Sequence, residues 1–349
     1  MNDSVDILSL SFDELCDFLK AIGEQGFRAA QIFKWLHEDR AKSFEAMSNL
    51  SKTLREKLKI GCHIMNIGVE REQHSSDGTV KYLFVLEDGN CIETVAMRYH
   101  HGISVCVSSQ VGCRMGCRFC ASTQNGLVRN LAASEILLQV YRVAELLGER
   151  VDSVVLMGIG EPLDNFDNVT KFCDIVTDAR GCNLAGRAIT LSSCGIVPRI
   201  DELAEQRRQL TLSISLHAPT NNQRNKTMPI NGAYNIEQLI AACKRYYDIT
   251  KRRISFEYAV IDGQNNSADD ANNLAHLIRG MGAHVNLIPI NPVRDTGFHA
   301  TRESAEEFRQ KLISLGVNAT VRRTLGADIS AACGQLRRDA AAENERDSQ

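Results

Sequence analysis

Up to about residue 60, apolar side chains return every three or four positions, the interval of a helix with one buried face. Phe12, Leu15, Leu19 and Ile22 form one such stripe. Ser11 and Glu14 supply an S-x-x-E capping box before it and Gly23 a stop after it. A second helix is predicted from about Arg28 to His37, with Ile32, Phe33 and Leu36 inward, and a third from about Lys52 to Leu58. Between Thr79 and Tyr99 the interval shortens to two, as TVKYLFVLEDGNCIETVAMRY, which predicts a β-hairpin turning at Asp88, Gly89 and Asn90.

From about Ile103 onward, strand-like runs alternate with helix-like ones. ISVCV precedes a cysteine-rich loop and a helix over Ala133–Leu147. DSVVLMG precedes Val169–Thr177, AITLSS a short helix near Ile200, LTLSISLH a helix over Ile236–Tyr247, and ISFEYAVI a helix over Asp270–Met281; HVNLIPI follows. Six βα repeats build an α/β protein with a parallel sheet, and they suit a partial barrel as well as an open doubly wound sheet. A helix near Arg302–Leu315 and a strand near Ala319–Arg322 come next. The final stretch, 339–349, reads as a disordered tail.

Composition narrows the function classes. The chain has 349 residues, of which 44% are hydrophobic, enough for one large barrel and a small accessory piece. It has no apolar run of about 18 residues and begins with an acidic segment, so a cytoplasmic protein without membrane contact is expected. Twelve cysteines in a chain of this kind argue for reduced thiols and a metal site rather than a disulfide scaffold. A formal charge of −3 gives no global attraction to nucleic acid, so any RNA contact must come from local basic patches. Arg28, Lys34, Lys52, Arg55 and Lys57 fall on outward helix faces, as a solvated surface or as a phosphate-contacting arm.

The chemistry starts at VGCRMGCRFCAS. Cys113, Cys117 and Cys120 can hold three corners of an iron–sulfur cube and leave one iron open, to chelate the amino and carboxylate groups of S-adenosylmethionine (AdoMet). The spacing, with Phe119 before the third cysteine, resembles the CxxxCxxC signature of the radical AdoMet superfamily. A zinc knuckle or a chance grouping is the plainer alternative, but no fourth Cys or His follows at zinc spacing. If the repeats form a barrel, reactive groups belong at the C-terminal strand ends. Gly160 and Glu161 of GIGEP, Ser192, the run Ser215, Leu216 and His217, and Asn291 stand there as candidate AdoMet contacts. Taken singly, a Gly-Glu-Pro turn is more often only a turn, and a lone histidine more often a structural group.

Longer blocks carry a narrower resemblance. FRAAQIFKWLH, CVSSQVGCRMGCRFCAST, NGLVRNL, GIGEPLDNFDNV, SISLHAPTNNQRNKTMPIN, FEYAVIDGQNNS, HVNLIPINPV and VRRTLGADISAACGQLR together resemble the RlmN/Cfr family of radical AdoMet RNA adenine methyltransferases. The resemblance implies a partial (β/α)6 barrel. It also implies a helical accessory domain over 1–65, a hairpin connection over 66–100, a barrel core over 101–300 and an extension over 301–338. It implies a [4Fe-4S] cluster on Cys113, Cys117 and Cys120, and two AdoMet molecules per turnover. The first methylates Cys333; the second yields a 5′-deoxyadenosyl radical that takes hydrogen from that methyl group. The carbon radical adds to adenine, Glu93 accepts the ring proton, and Cys106 resolves the adduct by forming a disulfide with Cys333. Expected partners are large-subunit rRNA, tRNA as in some members, and a reducing donor such as flavodoxin or ferredoxin; a monomer is expected.

C2 is the favoured ring carbon, with C8 the alternative. A radical AdoMet enzyme acting on a non-RNA substrate, and a non-catalytic iron–sulfur RNA-binding protein, also compete. LSSCG, RYHHGISVC and the DIS before AACGQL depart from the usual family blocks, which bears on substrate choice. From the residues alone, Cys106 in its apolar strand reads as a small buried hydrophobe and Glu93 as an ordinary strand carboxylate.

Overall fold

A computed structural model of the chain describes residues 4–290, 298–323 and 325–329. The N-terminal module comprises β1 (Val5–Asp6), α1 (Phe12–Ala21), α2 (Arg28–His37), α3 (Lys52–Gly61) and β2 (Cys62–His63), the two short strands pairing in parallel. The capping box forms as read: the Glu14 N–H donates to Ser11 Oγ at 3.3 Å, and the Ser11 N–H to the Glu14 carboxylate at 2.8 Å. Leu15, Leu19, Ile32, Phe33, Leu36, Leu54 and Leu58 are buried and belong to the same core cluster as the barrel helices. The module therefore packs onto the rest of the chain.

Next come β3 (Gly68–His74), β4 (Val80–Val85) and β5 (Cys91–Tyr99), an antiparallel meander. The hairpin turns at Asp88-Gly89-Asn90, where Gly89 takes φ +80°, a conformation costly for residues with a Cβ. The alternating part follows: β6 (Gly102–Cys106), β7 (Gln110–Gly112), β8 (Leu127–Asn130), α4 (Ala133–Leu147), β9 (Val151–Leu156), α5 (Phe166–Thr177), β10 (Ile189–Ser193), α6 (Val197–Glu205) and β11 (Thr211–Ser215). It continues through α7 (Asn221–Thr227), α8 (Ile236–Thr250), β12 (Ser255–Val260), α9 (Ala268–Leu277), β13 (His284–Pro289), α10 (Arg302–Ser314) and β14 (Asn318–Val321).

The ten-stranded sheet runs β14-β13-β12-β11-β10-β9-β6-β5-β4-β3. From β6 to β14 the order never reverses. Because crossovers between parallel strands are right-handed, an unreversed order puts every helix on one face, whereas a doubly wound sheet needs a reversal. Strand order thus selects the partial barrel.

Register shows what each face carries. Val105, Val154, Leu191, Leu212, Ile214, Phe256, Val285 and Ala319 point to the helix side and are buried. The intervening positions form rows across the other face: Cys106 beside Val155, Val155 beside Thr190, Ser192 beside Ser213, Ser215 beside Glu257, and Glu257 beside Asn286. That face is a polar lumen, and it explains why these parallel strands alternate instead of reading as continuous apolar runs. Among the described residues, no helix is long and apolar enough to cross a membrane.

Candidate functional site

The cysteine loop leaves the sheet after β6 and is framed by the small antiparallel pair β7–β8. Gly112 and Gly116 take φ +76° and +70°, which lets the backbone fold back on itself around Cys113 and Cys117. Three backbone bonds fix the loop: Cys113 N–H to Gly126 O at 3.0 Å, Arg118 N–H to Thr227 O at 2.9 Å, and Cys120 N–H to Cys117 O at 3.0 Å. Burial pushes the Cys113 and Cys117 thiols up to about 12. Each sulfur would therefore lose its proton readily only to a metal that replaces it. Among the described residues, no three Cys, His, Asp or Glu side chains converge on one point as a single zinc ion would need. Thiolates that each take a separate iron have no such requirement, so the donor set fits a cluster better than zinc.

The loop after β9 is locked to the cysteine loop through Gln110. Its side-chain oxygen accepts the Glu161 N–H at 2.9 Å, and its amide donates to Asp164 at 2.9 Å; Arg114 Nε also donates to Asp164 at 2.9 Å. Gly160 sits where the two loops meet, at φ +109°. A Cβ there would stand 2.7 Å from Gln110 Cβ and 2.8 Å from its backbone nitrogen. Gly160→Ala is expected to cost about 2–3 kcal/mol in strain and to weaken AdoMet binding by about tenfold or more. Chemical denaturation and equilibrium dialysis with labelled AdoMet check the two halves.

Glu161 is 4% exposed. Its carboxylate accepts the Leu163 N–H at 3.0 Å and the Cys194 N–H at 2.8 Å, joining the ends of β9 and β10. Burial raises its pKa, with those two N–H groups opposing the rise. Ser192 and Ser215 are half-buried on the lumen face, while Leu216 is buried behind it. His217 follows at φ +57°, with Nδ1 accepting the Ala259 N–H at 2.9 Å, which leaves Nε2 as the donor nitrogen. Burial pushes its pKa down to about 3, so the ring is neutral. Phe119 meets it edge-on at 4.8 Å, linking the cysteine loop to the end of β11. A polar cavity of about 370 Å³ opens beside His217, lined by Thr220, Gln223, Lys226 and Asn265 among others.

On the other side of the lumen, Lys81, Val95 and Cys106 lie in one row across β4, β5 and β6, and Glu93 lies two residues from Val95 on the same face. Cys106 is half-buried and Glu93 is 4% exposed. Lys81 Nζ lies 3.5 Å from Glu93 Oε1, with its side chain 1% exposed. Ser108 Oγ donates to the Glu93 carbonyl at 2.6 Å and accepts the Ile159 N–H at 3.0 Å, tying β5 to the segment that leads into the cysteine loop and to the loop after β9. Cys333 and Asn291 lie outside the described residues.

Three buried polar groups were missed by the sequence reading. Lys81 was read only as one residue of a hairpin strand. Glu257 crosses the lumen to Ser213 Oγ at 2.9 Å and Asn286 Nδ2 at 2.8 Å; an acid inside the apolar run SFEYAV was the available signal. Arg224 is fully buried and donates to the carbonyls of Leu216 (3.2 Å), Cys194 (2.6 Å) and Ser215 (3.3 Å), clamping the ends of β10 and β11. Nothing local in NNQRNKT marks it.

Comparison with known proteins agrees with this geometry. Residues 5–64 match the model of the ribosomal RNA large subunit methyltransferase N-terminal domain, and residues 107–275 match that of the radical SAM superfamily. A probable dual-specificity RNA methyltransferase RlmN of Lachnospira eligens is 52% identical over 334 residues, 95% of each chain. One from Desulforamulus reducens is 50% identical over 339 residues, 97% of each. The crystal structure of a radical SAM methyltransferase from Sphaerobacter thermophilus superposes with a TM-score of 0.88 at 43% identity, covering 95% of this chain and 98% of that one.

Proposed function

The chain belongs to the RlmN family of radical SAM RNA methyltransferases, and from that premise we propose that it methylates C2 of an adenosine in large-subunit rRNA and in tRNA, with Cys333 as methyl carrier. The observation that carries this reading is the shared lumen face of Cys106 and Glu93 on adjoining strands β6 and β5. A proton acceptor for the ring carbon and a second thiol for the carrier sulfur have to reach one protein–RNA adduct, and these two residues stand on adjoining strands where they can.

Cys113, Cys117 and Cys120 would hold a [4Fe-4S] cluster. When bound and reduced, it supplies the electron that cleaves AdoMet into methionine and a 5′-deoxyadenosyl radical. Gly160 brings backbone close to the ligand, and His217, fixed as a neutral ring, offers an Nε2–H donor. Ser192 and Ser215 on the lumen face offer hydrogen bonds to AdoMet, and Glu257 with Asn286 offers them to a base taken out of its stack.

An electron-poor ring carbon has no lone pair with which to displace a methyl cation from AdoMet. Transfer therefore runs through sulfur. The Cys333 thiolate takes a methyl group from one AdoMet, and that S-methyl carbon later becomes the methylene joining protein to RNA. Glu93 takes the ring proton, the one electron left on the adduct radical would return to the oxidised cluster that supplied it, and the Cys106 thiolate then attacks Cys333 sulfur of the closed-shell adduct. One S–C bond breaks and one S–S bond forms, the released carbon gains a proton, and cytoplasmic thiols reduce the pair. Reduction is an ordinary two-electron exchange.

The test is reconstitution with iron and sulfide under reduction, then incubation with AdoMet and unmodified rRNA or tRNA. Mass analysis of the digested nucleosides is expected to give 2-methyladenosine together with 5′-deoxyadenosine. 8-Methyladenosine in its place would assign C8. Release of 5′-deoxyadenosine with a metabolite but no RNA product would point to a different substrate class, and absence of AdoMet cleavage to a binding protein.

A further inference from the structure

Two aspartates far apart in the chain hold a surface turn and the C-terminal arm together by a reciprocal clasp. In the turn between β3 and β4, Asp77 Oδ2 accepts the Gly326 N–H at 2.8 Å while its other oxygen accepts the Thr79 N–H at 2.9 Å. From the arm, Asp328 accepts the Ser75 hydroxyl at 2.5 Å and the Ser76 N–H at 2.9 Å. Each side thus gives one carboxylate and one backbone N–H. These bonds hold Asp77 down to about 2, the Gly326 N–H contributing most, and lower Asp328 as well, with the Ser75 hydroxyl first among its causes.

The clasp also closes the barrel's open side. β14 and β4 are eight strand steps apart in the sheet, which in a flat sheet would span about 38 Å. From Val321 to Asp328 the chain has seven residues and reaches about 24 Å at most. Only a strongly curled sheet brings the two within that reach, and the arm straps them together.

We infer that this clasp positions the methyl carrier: Asp77 and Asp328 are positioning residues that fix the root of the Cys333 arm beside the strands bearing Glu93 and Cys106. The inference rests on the reading of Cys333 as carrier. Ile329 ends the clasped segment four residues before Cys333, which confines that thiol to within about 14 Å of it. The row Lys81–Val95–Cys106 begins four residues after Asp77 and crosses two strand steps, so Cys106 lies about 16 Å from the clasp. Reach and distance match. With the clasp released, the last long-range backbone tie among the described residues is the Arg322 N–H to Leu287 O at 2.8 Å, eleven residues before Cys333. Lengthening the tether from four residues to eleven lowers the effective concentration of the thiol about fivefold by the −3/2 power law.

The experiment compares the holoenzyme with its Asp77→Ala/Asp328→Ala variant. Both side chains are at the surface, and the midpoint of thermal unfolding is expected to stay within a few degrees. Peptide mass spectrometry follows the gain of one methylene at Cys333 on incubation with AdoMet, and steady-state assays follow RNA methylation. The expected result is a roughly fivefold or larger fall in both the rate of Cys333 methylation and kcat, with KM for RNA unchanged. The Ser75→Ala variant, which loses one bond of the clasp, should fall between. Equal rates in variant and wild type overturn the inference. A rise in KM at constant kcat also overturns it, by making the turn an RNA contact. If wild-type Cys333 gains no methylene under turnover, the carrier reading itself fails, a result visible before any variant is compared.

Discussion

Replacing Cys106 with alanine is expected to leave the enzyme covalently joined to its RNA after a single turnover. The side chain lies half-buried on the lumen face, in the row shared with Val95 and Val155, and no other cysteine among the described residues occupies that row. Loss of the attacking sulfur removes the step that breaks the carbon–sulfur bond, and nothing in water substitutes for a thiolate aimed at sulfur. Multiple turnover should fall by about a thousandfold or more, while 5′-deoxyadenosine still forms once per enzyme. RNA that stays with the protein through a denaturing gel is the readout. Destabilisation should be about 1 kcal/mol, since only one small side chain at the lumen wall is shortened. A Cys106→Ala enzyme that turns over freely and carries no RNA would sink the two-thiol mechanism.

The second large effect concerns Lys81. Its side chain is 1% exposed and its ammonium stands 3.5 Å from Glu93 Oε1, itself on a side chain 5% exposed. Two opposite charges removed from water together are tolerable; taking this ammonium away deprives the buried carboxylate of its counter-charge, which is costly. Lys81→Met keeps the volume and discards the charge, and is expected to destabilise the fold by about 3–5 kcal/mol, a loss of roughly 4–7 °C in Tm for a chain of this size. The Lys81→Met/Glu93→Gln double variant removes both charges and should recover most of that loss. It should remain inactive in RNA methylation, because the proton acceptor is gone. Thermal unfolding of the two single variants and the double variant gives the coupling. Additive losses with no recovery would mean that the ammonium does not balance this carboxylate.

Much of the architecture was legible because local physics and tertiary packing agree. Ser11 and Glu14 cap α1 in any context, Asp88-Gly89-Asn90 turns a hairpin by its own backbone preferences, and the βα rhythm follows from apolar period alone. Elements without an apolar signature were missed. β3, read as GVEREQH, is mostly polar and, among the described residues, pairs only with β4, so its strand is imposed by a neighbour's unpaired backbone. α7, read as NNQRNKT, has no apolar stripe; it is held by the Thr220 cap and by a buried Arg224.

The site divides in the same way. Cys113, Cys117 and Cys120 could be found because one loop supplies all three, and spacing along a chain is a property of sequence. Glu93 and Cys106 were assigned by resemblance alone, since nothing in IET or SVC distinguishes a lumen residue from a buried one. Lys81, Glu257 and Arg224 escaped notice because their partners are remote in the chain.

By itself the sequence determined the kinds of element, the cysteine loop and the alternation of polar with apolar residues in each parallel strand. Only the tertiary structure decided that the strands add in unbroken order, that the polar positions thereby converge into one lumen, and that an arm more than 240 residues away is fastened to the β3–β4 turn. The reason is physical: periodicity records which face of an element avoids water, whereas strand neighbours and long-range hydrogen bonds depend on which surfaces meet.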